Sequence, residues 1–149
     1  MILFSDGASR GNPGPAGIGV HITDEGGHTF HEIARGIGVA TNNIAEYSAL
    51  VAGLEWCAAQ GIAEVLVRAD SHLLVEQMNG RYRVKSANLK PLYAEARALA
   101  RGFRRIAYEH IRREYNKEAD RLANEGIDAW LAQGGDDAAS PASNPSLFG

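Results

Sequence analysis

Residues 42–71, NNIAEYSALVAGLEWCAAQGIAEVLVRADS, decide the fold. Asn42–Gln60 holds no proline, is rich in Ala, Leu and Glu, and stops at Gly61, the residue type that takes the left-handed position after a helix. The spacing predicts one helix, with Asn42 or Asn43 as its N-cap. Glu64–Ala69 (EVLVRA) then reads as a short strand, and Asp70-Ser71 opens a second helical pattern that runs through Met78 to Asn79-Gly80. Strand and helix alternating in so short a span point to parallel pairing, so the flanking segments must share a sheet with Glu64–Ala69.

Upstream, Met1–Asp6, Ala16–Thr23 and His28–Val39 are β-prone runs separated by a Gly/Pro loop and a DEGG turn. They predict an antiparallel meander. Downstream, Lys90–Arg101 is helical with Pro91 in its first turn, Arg105–Ile111 is strand-like, and Lys117–Leu131 forms a last helix. The order βββαβααβα predicts an α/β fold, a five-stranded mixed sheet (antiparallel meander, then parallel strands) flanked by helices. Residues 1–133 are expected to form one domain. Residues 134–149 (GGDDAASPASNPSLFG) read as a flexible C-terminal tail or linker.

Composition excludes several classes. The 149 residues are 45% hydrophobic and 22% charged, enough apolar material for a core. The single cysteine, Cys57, cannot close an intramolecular disulfide, and no Cys/His set has zinc spacing. No run of about 18 apolar residues exists, and MILF opens the chain without a positive n-region. The expectation is a cytoplasmic protein with no membrane association. The formal charge of −3 hides an asymmetry, because residues 81–113 carry ten Lys/Arg against Glu95 and Glu109, +8 in one stretch and −11 elsewhere.

Four acids stand where a fold would not choose them. Glu46 shares the apolar helix stripe of Leu50, Gly53, Leu54 and Cys57. Asp6 ends the first strand on the face of Ile2 and Phe4, and Asp70 ends the fourth at the carboxyl end of the strands, where ligands bind in parallel sheets. Asp120 lies in the first turn of the last helix, near its packed stripe. Singly, each has an ordinary reading as a turn or cap residue or a partner of a helix dipole. Together, several carboxylates at one end of a sheet would repel one another unless a cation neutralised them. Carboxylate oxygens without His or Cys select Mg²⁺ or Mn²⁺, and several of them allow two ions about 4 Å apart.

Four blocks carry a family resemblance: Asp6-Gly-Ala-Ser-Arg-Gly-Asn-Pro-Gly-Pro-Ala-Gly17, Thr41-Asn-Asn-Ile-Ala-Glu46, Ala69-Asp-Ser71 and Asn116-Lys-Glu-Ala-Asp120-Arg-Leu-Ala-Asn124. In this order they resemble the signature blocks of ribonuclease HI, and the resemblance covers residues 1–131. It implies a ribonuclease H-like fold and endonucleolytic hydrolysis of the RNA strand of RNA–DNA hybrids by a two-metal-ion mechanism, leaving 5′-phosphate and 3′-hydroxyl ends. Two Mg²⁺ or Mn²⁺ would be held by Asp6, Glu46, Asp70 and Asp120. Asn12, Asn42 and Asn43 match positions that read RNA 2′-hydroxyls, the group that tells RNA from DNA. Thr41 matches one that holds a DNA-strand phosphate, and Ser71 lies in the matching third block. The implied partner is an RNA–DNA hybrid, and the chain is expected to be a monomer without an obligate protein partner. The alternative is a catalytically weak RNA- or hybrid-binding module of the same fold.

Two departures stand out. The long helix and basic protrusion of the best-known members are missing, as in a short, protrusion-less subgroup. Arg81, Tyr82, Arg83 and Lys85 are expected to take over part of that work as substrate contacts. The loop that usually carries a catalytic histidine is compressed to Arg112-Arg113-Glu114-Tyr115-Asn116. Arg113 is the preferred replacement at the scissile phosphate. His110 has a suggestive spacing to Asp120 but sits in a strand.

Overall fold

The computed structural model describes residues 1–135. Five strands, β1 (Ile2–Ser9), β2 (Gly14–Thr23), β3 (Thr29–Ala40), β4 (Glu64–Ala69) and β5 (Arg105–His110), form one sheet in the order β3-β2-β1-β4-β5. The first three pair antiparallel, and β1–β4 and β4–β5 pair parallel. The helices are α1 (Asn42–Ala59), α2 (His72–Met78), α3 (Lys90–Ala100) and α4 (Lys117–Ala132). This is the mixed sheet the alternation predicted. No helix among the described residues is long and apolar enough to cross a membrane. Gly134 and Gly135 close α4, with Gly135 N–H on the Trp130 carbonyl at 2.9 Å; the rest of the expected tail, 136–149, lies outside the described residues.

One face of the sheet carries the main core. Leu3, Ile18, Val20, Ile22, Val65 and Val67 are buried there with Leu50, Leu54 and Cys57 of α1. The other face receives α4, which packs on strand backbone: a Cβ on Gly19 would stand 1.9 Å from the Ala119 carbonyl oxygen, and one on Gly17 2.4 Å from that of Ala123. Glycine at these positions removes the side-chain layer between helix and sheet. Helix α4 covers β2 and β3 more than the first half of β1. Ile2 and Phe4 are therefore only half-buried, lining a cavity of about 360 Å³ with His21, Arg68 and Tyr115.

Two local expectations are corrected. Strand β1 does not end at Asp6 but runs to Ser9, because Gly7–Ser9 continue the ladder against Ala16–Ile18. The cap of α1 is neither Asn42 nor Asn43. Thr41 has the extended backbone of an N-cap, and its hydroxyl accepts from Ile44 N–H at 3.2 Å. Helix α2 is capped by Ser71, whose Oγ accepts from Leu74 N–H at 3.2 Å, so Asp70 does not serve as its cap.

Candidate active site

The parallel β1–β4 pairing ends at Ser5 and Ala69, while β1 runs on against β2. A notch opens at the carboxyl end of β4, and three acids enter it from different directions. Asp6 pairs with Gly19 in the ladder, so its side chain lies on the α4 face together with Ile2 and Phe4. Glu46 comes from α1 on the opposite face, and Asp70 directly follows β4. One carboxylate oxygen from each lies within 4.8 Å of the others.

Gly7 fixes Glu46 in this arrangement. A Cβ there would stand 2.2 Å from the Ala45 carbonyl carbon, so only glycine lets the first turn of α1 settle on β1. The same contact lets Gly7 N–H donate to Glu46 Oε1 at 3.0 Å.

The cluster is electrostatically unfavourable without a cation. Burial, then the charges of Asp70 and Asp120, push the Asp6 carboxyl up to about 8, with Arg113 opposing. Burial and the charges of Asp6 and Asp70 raise Glu46 well above the ordinary carboxylate range, against the Gly7 N–H. Asp70 is raised by burial, and Arg113 and the Asn116 side chain pull it back. Its Oδ2 is buried without a hydrogen-bond partner. A buried oxygen without a donor, beside two carboxylates that repel it, fits a hard divalent cation. Asp120 stands outside the group of three but close enough for its charge to act on Asp6 and Asp70.

Arg113, exposed in a 3-10 turn over Arg113–Tyr115, is the cation that acts on Asp6 and Asp70. His110, the last residue of β5, is turned to the His72 ring at 5.3 Å instead. The amide-bearing expectations gather around the β1–β2 turn: Asn12 Oδ1 accepts from Asn42 N–H at 3.0 Å, and Asn43 is exposed on the same helix start. In the basic segment, Arg81 is held by Glu76, with Nε on Oε2 at 2.9 Å. Tyr82 is exposed with its ring edge-on to His72. Arg83 and Lys85 are exposed and pair with no acid among the described residues.

One residue of the site has a role that spacing does not show. Asn116 precedes α4 at the N-cap position, yet its side chain makes no cap. It is buried, donates from Nδ2 to the Ser5 carbonyl at 2.9 Å, and stands close enough to Asp70 to favour its charged form. A fully buried asparagine where a capping residue is expected was the only signal, and burial is invisible in one sequence.

Sheet order, helix placement and the acids gathered in the notch define a ribonuclease H-like fold. A family described as "Reverse transcriptase-like" matches residues 4–126. The bifunctional protein Rv2228c of Mycobacterium tuberculosis is 49% identical over 130 residues, 87% of this chain; the chain spans only 36% of that relative's length. The ribonuclease H of Pseudomonas fluorescens is 31% identical over 140 residues, 85% of this chain and 89% of the relative. The crystal structure of LC11-RNase H1 in complex with RNA/DNA hybrid superposes with a TM-score of 0.83 at 47% identity, over 87% of this chain and 98% of that one. The chain belongs to the ribonuclease H family.

Proposed function

We propose that this protein is an endonuclease that hydrolyses the RNA strand of RNA–DNA hybrids, with two Mg²⁺ or Mn²⁺ held by Asp6, Glu46, Asp70 and Asp120. The observation that carries it is the meeting of Asp6, Glu46 and Asp70 oxygens within 4.8 Å at the end of β4. When bound, a pair of divalent ions supplies a water ionised near neutral pH and neutralises charge on the leaving oxygen. In this reading the 3′ oxygen is the leaving group, which gives 5′-phosphate and 3′-hydroxyl products.

The chain's own residues orient the substrate. Asn12, Asn42 and Asn43 present amides, which both donate and accept, to RNA 2′-hydroxyls in the minor groove. Thr41 and Ser71 stand at the N-termini of α1 and α2, where a phosphate oxygen is favoured by helix N–H groups, and Thr41 takes the DNA strand. Arg113 places a guanidinium at the scissile phosphate. Arg83 and Lys85, with Tyr82 as a stacking surface, follow the DNA backbone, and Arg81 is held in place by Glu76. The hybrid-bound complex of LC11-RNase H1 supports hybrid as the partner. The protein works as a cytoplasmic monomer in this reading.

The test incubates end-labelled RNA–DNA hybrid, DNA duplex and RNA duplex with the protein and Mg²⁺ or Mn²⁺, beside Asp70→Asn. Internal cuts in the hybrid's RNA that vanish in the variant are expected. Binding without cuts would make the chain a hybrid-binding module, and cleavage of the DNA duplex would overturn the assignment.

A further inference from the structure

Asp120 is the one proposed ion ligand that the sheet does not fix. Asp6 is buried on β1 and Glu46 is tied to Gly7, but Asp120 is half-buried on a helix surface and lies outside the close trio. Something else must restrict its side chain, and a row along α4 supplies it. Asp120, Asn124 and Asp128 recur at four-residue spacing, and so lie on one face of the helix.

Asn124 donates from Nδ2 to the Asp120 carbonyl at 3.0 Å and to Asp120 Oδ1 at 3.4 Å. Its Oδ1 accepts from Arg10 Nη2 at 3.2 Å, and Arg10 Nη1 pairs with Asp128 Oδ1 at 2.8 Å. The two neighbours determine the amide's orientation, since flipping it would set oxygen against Asp120 and NH₂ against a guanidinium. Arg10 belongs to the β1–β2 turn that carries Asn12. That turn is anchored on its far side by Asn12 to the Asn42 N–H and by Ser9 Oγ to the Ala40 carbonyl at 2.7 Å.

We propose that Asn124 is a positioning residue that sets the Asp120 carboxylate for divalent-ion binding, and that Arg10 couples this setting to the turn through which Asn12 meets RNA. The inference rests on the proposed function for its ion and substrate. One Asp120 oxygen is held by Asn124, and the other stays available as a ligand. Hydrogen-bond partners behind metal ligands commonly account for about 10- to 100-fold in metal affinity or activity. A plain clip between turn and helix is a different arrangement. The Arg10–Asp128 pair would provide it alone, and with side chains 40% and 67% exposed it contributes little.

Two measurements decide the matter: Mn²⁺ titration of the metal-free protein by calorimetry, and steady-state cleavage of labelled hybrid. Asn124→Ala is expected to weaken Mn²⁺ binding about 10-fold or more. It should lower kcat at limiting Mn²⁺, leave the hybrid KM nearly unchanged, and recover most of kcat in excess Mn²⁺. Asn124→Gln, which keeps an amide, should recover part of the affinity. Arg10→Ala should fall between, the double variant should be no worse than Asn124→Ala, and Asp128→Asn should match the wild type. Melting curves identify any variant that is not folded, and Asn124→Ser then takes the place of Asn124→Ala. Wild-type Mn²⁺ affinity in a folded Asn124 variant would overturn the proposal, as would an equal loss in Asp128→Asn. A wild-type protein that binds Mn²⁺ but cuts no hybrid would overturn the proposed function instead, and the Mn²⁺ titrations would still decide the role of Asn124.

Discussion

Asp6 illustrates how a single residue can serve chemistry at the expense of the fold. Its carboxyl, ordinarily at 3.8, is pushed up to about 8 by burial and by the Asp70 and Asp120 charges. A folded-state value above the unfolded one contributes stability that is complete below pH about 4 and lost as pH rises through about 8. The metal-free protein should therefore lose stability between pH 5 and 8.5, while the increase in Tm given by Mn²⁺ grows over the same range. Calorimetric scans with a chelator and with Mn²⁺ check both slopes; a metal-free Tm that rises with pH would contradict them. Asp6→Asn should raise the metal-free Tm by a few degrees at pH 8 and abolish cutting. The meeting of three acids was legible because Asp6 and Glu46 break the binary pattern of apolar stripes and Asp70 stands at the carboxyl end of a parallel strand. Asn116 and Asn124 were not, since an asparagine at a helix start or on a helix surface has the same sequence signature whether it caps, bonds a neighbouring side chain or faces water.

Among the elements, α1 was legible nearly to its ends, because Gly61 and the Thr41-Asn-Asn segment delimit it. Its cap was not, since three successive residues are all good caps and only the tertiary docking of the helix selects Thr41. The end of β1 was misread for a related reason: Gly7 looks like a turn residue, whereas it is glycine to let α1 touch the strand. Gly7→Ala should destabilise the protein by about 1–3 kcal/mol and reduce cleavage beyond what the lost stability explains, because Glu46 moves with α1. Urea unfolding paired with kcat at a temperature where the variant is folded separates the two effects. Between α1 and the basic segment, buried Gln77 accepts from Tyr47 Oη at 2.6 Å and donates to the Arg83 carbonyl at 3.3 Å. Gln77→Leu should leave the tyrosine hydroxyl unpaired, cost about 1–3 kcal/mol, and weaken hybrid binding by loosening residues 81–85. Unchanged affinity in a folded Gln77→Leu variant would show that the segment holds its shape without this bridge.

Over the whole molecule, charge is divided between two places rather than averaged. Adding two doubly charged ions to a formal charge of −3 gives +1, and the ten cations of residues 81–113 stand in a stretch that holds only two of the eighteen acids. Not all of them are available to a phosphate backbone: Arg81 is taken by Glu76, and Arg104 by Glu64. The double variant Arg83→Ala/Lys85→Ala should therefore flatten the salt dependence of hybrid binding by about two units of slope, and Arg81→Ala by less than one. Binding isotherms in chelator at several salt concentrations give the slopes; a larger change for Arg81 than for Arg83 would reverse this ranking.

The acids reach the notch from both faces of the sheet, Glu46 on α1 above and Asp6 beside α4 below. Neither helix layer supplies the whole proposed ligand set, since Glu46 comes with α1 and Asp120 with α4. A chain still missing either helix layer, during synthesis or after partial unfolding, would hold at most part of the proposed ligand set and, under the proposed function, would cut no RNA. Under the proposed function, completion of the tertiary structure is what arms the site.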